Sequence, residues 1–215
     1  NHLEAQYHLG LMFYKGEYVT RDINKSINYL KLASYQNHKE AEYLLGKLYE
    51  NGKYVSQDIG KSIYYFTQAA NQNHLEAQYH LGLMFYKGEY IPQDINKSIQ
   101  YLTLSANRNH GEAALFLGLL YEKGILIPQD IHKSIYYYSL AANQNNSNAQ
   151  FFLGMLYEEG QYVQQDINKS IYYYSLAAKS NHSYAQYKLG TFYEGDRHVP
   201  QDINKSIYYY SLAAN

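Results

Sequence analysis

Two patterns of apolar positions alternate along the chain, and both have helical spacing. The first runs Ala5, Leu9, Met12, Phe13, as on one face of a helix. The second runs Ile23, Ser26, Ile27, Leu30, Ala33, the i, i+3, i+4, i+7 pattern. Together they return every 36 residues. Asp22, Asp58, Asp94, Asp130, Asp166 and Asp202 open the second pattern each time, and Asp is a good helix N-cap. Gly16, Gly52, Gly88, Gly124 and Gly160 close the first pattern, where a left-handed residue ends a helix cheaply. The sixth copy reads Gly195-Asp196, so its loop is expected to differ. Pro92, Pro128 and Pro200 mark the turn between the two helices. Asn37, Asn73, Asn109, Asn145 and Asn181 close the unit, and Asn is the next residue after Gly for a left-handed cap. The sequence therefore predicts an all-α array of six helix-turn-helix repeats, at about 1–36, 37–72, 73–108, 109–144, 145–180 and 181–215. Such an array is one elongated domain whose units bury their faces against neighbours.

One glycine sits inside the first pattern: Gly10, then Gly46, Gly82, Gly118, Gly154 and Gly190. Glycine in a helix interior costs about 1 kcal/mol relative to Ala. Close approach of the second helix is the simplest reason for keeping it. The small Ser26 and Ala33 on the second helix point the same way.

Composition narrows the chemistry. Tyr supplies 29 residues, so the core is expected to be aromatic, its hydroxyls reaching polar partners. Lys plus Arg is 18 against 19 Asp plus Glu, which leaves no broad electrostatic footprint for nucleic acid. Without Cys, disulfide and thiolate chemistry are excluded. No apolar run is long enough to cross a bilayer. The chain starts Asn1-His2 and is one residue short of six periods. It reads as a piece of a longer protein.

The candidate catalytic and metal-binding groups read as structure. His2, His38, His74, His110 and His182 share one repeat position. Neighbours in that column are separated by a hairpin, about 10 Å, whereas zinc draws its ligands to about 2 Å. They read as polar residues of the inter-repeat turn. His8 and His80 lie two repeats apart and fail the same test. Each Asp-x-x-Lys, such as Asp22 and Lys25, reads as an N-cap with a surface ion pair rather than an acid–base pair. No catalytic residue, metal or cofactor is expected. Asn-Lys-Ser at Asn24, Asn96, Asn168 and Asn204 would accept glycans in a secretory compartment. Its Ser faces the core, which favours a cytoplasmic location.

The pattern Ala-x-x-x-Leu-Gly-x-x-Tyr-x-x-Gly, then Asp-x-x-Lys-Ser-x-x-Tyr-x-x-x-Ala, resembles the Sel-1-like repeat, a relative of the tetratricopeptide repeat. In the fourth copy it is carried by Ala113, Leu117, Gly118, Tyr121, Gly124, Asp130, Lys133, Tyr137, Ala141 and Ala142. The match runs from Ala5 to Ala213. Ser26 stands where the family usually has Ala, and Asn37 where it has Gly. The resemblance implies a right-handed α/α solenoid acting as a non-catalytic interaction scaffold or adaptor. It also implies that the first helix lines the concave face. Some members are secreted and disulfide-linked, which the absence of Cys sets apart from this chain.

A partner surface is expected where copies differ. Positions 4, 8, 11 and 15 and their equivalents form a stripe on the first helix. It carries His80, Leu83, Phe116, Leu119, Phe152, Met155 and Lys47, and large apolar groups on a polar stripe mark interaction sites. Burial between adjacent first helices is the alternative. Tyr137, Tyr173 and Tyr209 are expected in the core, and Tyr64, Tyr136, Tyr172 and Tyr208 on a convex ladder. The expected partner is a protein or peptide, with neither nucleic acid nor membrane insertion. A structural or regulatory segment of a larger enzyme is the second reading. The oligomeric state is left open.

Overall fold

The computed structural model describes residues 2–195 and 199–214. Among them are twelve helices and no strand. They pair as α1 (Leu3–Lys15) with α2 (Ile23–Ser34), α3 (Lys39–Asn51) with α4 (Ile59–Asn71), and α5 (Leu75–Lys87) with α6 (Ile95–Ala106). The series continues with α7 (Gly111–Lys123) and α8 (Ile131–Asn143), α9 (Ser147–Glu159) and α10 (Ile167–Lys179), α11 (Ser183–Gly195) and α12 (Ile203–Ala213). Asn1–Arg108 and Asn109–Asn215 each form a compact unit of three hairpins. Within each unit the second helix of one hairpin packs on the first helix of the next.

The helix ends follow the sequence signals. All six Asp residues cap the second helix, each Oδ1 accepting from the backbone N–H of the Lys three residues on, at 2.9–3.0 Å. Five glycines from Gly16 to Gly160 take φ between 62° and 72°. The five Asn residues of the closing turn take φ between 59° and 67°. Gly195 is different, at φ 152°. Asp196, on which the altered loop was expected to turn, lies outside the described residues.

The interior glycines let the two helices of each hairpin touch. A Cβ built on Gly46 would lie 2.6 Å from the Phe66 ring, and one on Gly82 2.6 Å from Leu102 Cγ. The same residue type meets Tyr138, Tyr174 and Tyr210 in the second unit. In the first hairpin Ser26 Oγ also donates to the Gly10 carbonyl at 2.8 Å. The core forms around these crossings: Leu30, Ala33, Ala41 and Leu45, then Phe66, Ala69, Ala77 and Leu81. The second unit repeats it with Tyr174, Ala177, Ala185 and Leu189. Leu9 is 36% exposed while its equivalents Leu45, Leu81, Leu117, Leu153 and Leu189 are fully buried.

A clip closes each hairpin from the side. The ring at position 13 and its equivalents stacks on the second-helix Tyr, from Phe13–Tyr29 to Tyr193–Tyr209, with centroids 5.8–5.9 Å apart and planes within 7°. The capping-turn Lys lies over the outer side of that ring at 4.9–5.3 Å. The same ammonium reaches its Asp at 2.7–3.7 Å. The Lys of Asp-x-x-Lys is thus both an ion-pair and a cation–π partner.

Candidate interaction surface

The seven stripe residues are all half-buried. In the first unit His80 stacks on Phe66 of the preceding hairpin, with ring centroids 5.1 Å apart. His80 and Leu83 line one cleft with Glu50, Met84, Lys87, Glu89 and Tyr90. Lys47 lies on α3 beside this cleft, its ammonium 5.7 Å from the Tyr43 ring centre. In the second unit Phe152 stacks on Tyr138 of the preceding hairpin at 5.3 Å. Met155 packs against the cluster around Tyr174. Phe116 and Leu119 lie one turn apart on α7. The convex candidates Tyr64, Tyr136, Tyr172 and Tyr208 are 54–59% exposed. Each meets its own neighbour edge-on, Tyr65, Tyr137, Tyr173 or Tyr209. Of that neighbour column, Tyr137 is buried and Tyr173 and Tyr209 are half-buried.

Two members of the residue-50 column, Glu50 and Glu158, reach the following hairpin. Glu158 Oε1 pairs with Lys188 Nζ of the following hairpin at 2.9 Å. Glu50 Oε2 faces His80 Nδ1 at 3.8 Å. Beneath, the second helix supplies a tyrosine hydroxyl in three hairpins: Tyr138 to Glu122, Tyr174 to Glu158 and Tyr210 to Glu194, at 2.5–2.6 Å. This Tyr–Glu pairing was not anticipated from the sequence. Its signal is covariation at a separation of 16 residues: Leu30 and Leu102 accompany Tyr14 and Tyr86, whereas the three Tyr accompany Glu.

The histidine column has a role beyond that of a polar turn residue. Each Nδ1 accepts from the backbone N–H three residues on, at 3.1–3.4 Å, and so caps the first helix. Asn146 does the same in the fifth copy. The rings also lie on an aromatic of the preceding hairpin: His38 on Tyr7, His74 on Tyr43, His182 on Phe151, at 4.3–4.6 Å. The presence of Asn in this column was the available clue, since Asn is a standard cap. The cap needs a neutral imidazole. Burial holds His74 and His182 below the usual imidazole range. As pH falls through about 6.5, the unfolded chain takes up the proton first, and this part of the stability is lost. His74→Asn keeps the cap and loses the ring contact, so it should be less stable by about 1 kcal/mol at pH 7. That gap is expected to close below pH 6, as read from urea melts of both proteins across pH.

A second missed element is Gln57 and its equivalents Gln93, Gln129, Gln165 and Gln201. Each donates back to a carbonyl in the last turn of the first helix, at 2.7–2.8 Å.

The family model for the Sel1 repeat matches residues 3–38, 39–74, 75–110, 111–146, 147–182 and 183–215. The chain belongs to the Sel1 repeat family. No curated protein sequence matches it. Among solved Sel1-like structures, it is similar to a protective antigen of uropathogenic Escherichia coli strains with an SLR fold. That pair has a TM-score of 0.89 and 28% identity, covering 99% of this chain and 46% of the antigen. The chain thus spans about half the length of that protein. A Sel1 repeat protein from Oxalobacter formigenes aligns with TM-score 0.83 and 29% identity, over 100% of this chain and 88% of that one. An immunity protein from Pseudomonas aeruginosa, at 22% identity and TM-score 0.51, shares the fold over 99% of this chain and 81% of its own. Sel1 repeat solenoids are generally non-catalytic protein-interaction scaffolds. No helix among the described residues is long and apolar enough to cross a membrane.

Proposed function

We propose that this Sel1 array binds a segment of another protein along the variable face of its first helices. One contrast carries the reading. The Asp caps, interior glycines and Lys–ring–ring clip are built alike in all six hairpins, whereas the stripe differs among the copies, the first and third alone sharing one version. The repeated elements account for the fold, and the varied ones are left for recognition. The stripe offers His80, Leu83 and Lys47 in the first unit and Phe116, Leu119, Phe152 and Met155 in the second. Its apolar side chains, set among charged neighbours, suit an extended or helical peptide better than a polyanion.

Panning a displayed peptide library on the chain tests this directly. Peptides that bind the second unit are expected to lose at least about tenfold in affinity with Phe116→Ala and Phe152→Ala together, given the weight that aromatic anchors carry in interfaces. Circular dichroism of the double variant should retain its helical signal. Unchanged affinity removes this placement of the site. A library that yields no binder favours a purely structural segment.

A further inference from the structure

The glutamate column contains one member without the hydroxyl that satisfies the others. Glu122, Glu158 and Glu194 each accept from a tyrosine 16 residues on. At the equivalent place below Glu50 stands Phe66. Its ring occupies the same position as those tyrosines: Cδ1 and Cε1 press on Gly46 as those of Tyr174 press on Gly154. Only the hydroxyl is missing. Among the described residues, no donor lies within hydrogen-bond distance of the Glu50 carboxylate, and its shortest ion-pair approach is His80 at 3.8 Å. Burial raises the Glu50 carboxyl above its usual range, against the pull of Lys47 and Lys87. Glu50 keeps a quarter of its side-chain surface exposed, so its carboxylate faces the cleft open to a donor from outside the chain.

The acceptor opens into a cavity of about 200 Å³, walled by Leu83, Met84 and Tyr90 and rimmed by Lys87 and Glu89. The corresponding cleft one hairpin earlier has Tyr14 in place of Glu50, along with Leu48, Asn51, Lys53 and Tyr54. There the Tyr14 ring packs edge-on against Tyr54, with centroids 6.3 Å apart. This site type therefore already accommodates an aromatic ring beside its loop tyrosine. We infer that the Glu50 cleft receives a tyrosine side chain of the bound protein segment, its phenol O–H donating to the Glu50 carboxylate. The inference rests on the proposed peptide-binding role. A phenol brings an apolar body for Leu83 and Met84 and one donor for the acid. An arginine or lysine would bring its charge beside Lys87 and Lys47 and gains less.

The three methionines, Met12, Met84 and Met155, make the test direct. With methyl-labelled methionine, N-acetyl-tyrosinamide is expected to shift the Met84 signal and leave Met12 and Met155 in place. N-acetyl-phenylalaninamide should bind roughly tenfold more weakly, the difference expected for one hydrogen bond to a charged group. Phe66→Tyr supplies the hydroxyl from within. It should fold, as the tyrosine-bearing hairpins do, and lose the tyrosinamide response. Equal response to the two amides, tighter binding of N-acetyl-argininamide, an unchanged response in Phe66→Tyr, or a silent Met84 would each overturn the inference. Panned peptides that bind while Met84 stays silent would remove the tyrosine assignment and leave the peptide-binding function standing. Tyrosinamide binding with an empty panning would do the reverse.

Discussion

Gly82→Ala is expected to destabilise the chain by about 1 kcal/mol, although it replaces the second-worst helix former with the best. The propensity gain is about 1 kcal/mol. Against it stands a methyl group placed 2.6 Å from Leu102 Cγ, 2.9 Å from Cδ2 and 3.3 Å from the Leu102 backbone nitrogen. Leu102 is fully buried, and the contact includes its branch carbon and main chain, so rotating a side-chain tip gives no relief. The helices α5 and α6 must separate, and overpacking of that kind typically costs 1–3 kcal/mol or more. Gly60→Ala is the internal control. Gly60 is exposed in the first turn of α4, and a Cβ there would meet only Asp58 Oδ1 at 3.5 Å. It should stabilise by about 0.5–1 kcal/mol. Urea denaturation of the two variants must move in opposite directions; movement in the same direction would contradict the close helix crossing.

Glu42→Gln should change the pH dependence of stability. Glu42 is 2% exposed and occupies a position where Gln78, Gln150 and Gln186 donate to a buried carbonyl at 3.1–3.2 Å. A carboxylate has no proton to donate. Burial therefore pushes Glu42 up to about 7, with the Ser34 hydroxyl pulling the other way. Gln72 Nε2 donates to it at 2.6 Å. The raised value favours the neutral acid in the folded chain. This contribution is fully present below pH 4.5, the ordinary value. It declines as the unfolded chain gives up its proton first, and is gone above about pH 7. The whole interval is worth at most about 3 kcal/mol. The Gln variant should be close to wild type at pH 4.5 and more stable by about 2 kcal/mol at pH 8. Parallel stability curves for the two proteins across that range would rule this out.

The helix pattern, its Asp caps, its Gly and Asn stops and the tight crossing at the interior glycines were legible because each is a local signal repeated in place. The stripe was legible as one face of the first helix. Glu50 and His80 are 30 residues apart and meet only through the stacking of one hairpin on the next, and no periodicity within a helix reports that offset. The histidine column was read as turn because imidazole is not a common cap; its role follows from Nδ1 geometry. Nothing in the sequence singles out Glu42, since it carries no measure of how deeply that position is covered. Lys25 and its copies were read as ion-pair partners, and the ring beneath each ammonium became evident only with the helices in place.

The Lys–ring–ring clip has an evolutionary corollary. All its members, from the helix-A aromatic through the capping Asp and Lys to the helix-B Tyr, fall within a single 36-residue period. Gain or loss of a whole period severs none of these bonds and needs only one new junction between ready-made hairpins. Gain or loss of a partial period breaks a clip outright. Copy number in such a chain can change by whole units under drift, while the interior of each unit is held under strong constraint.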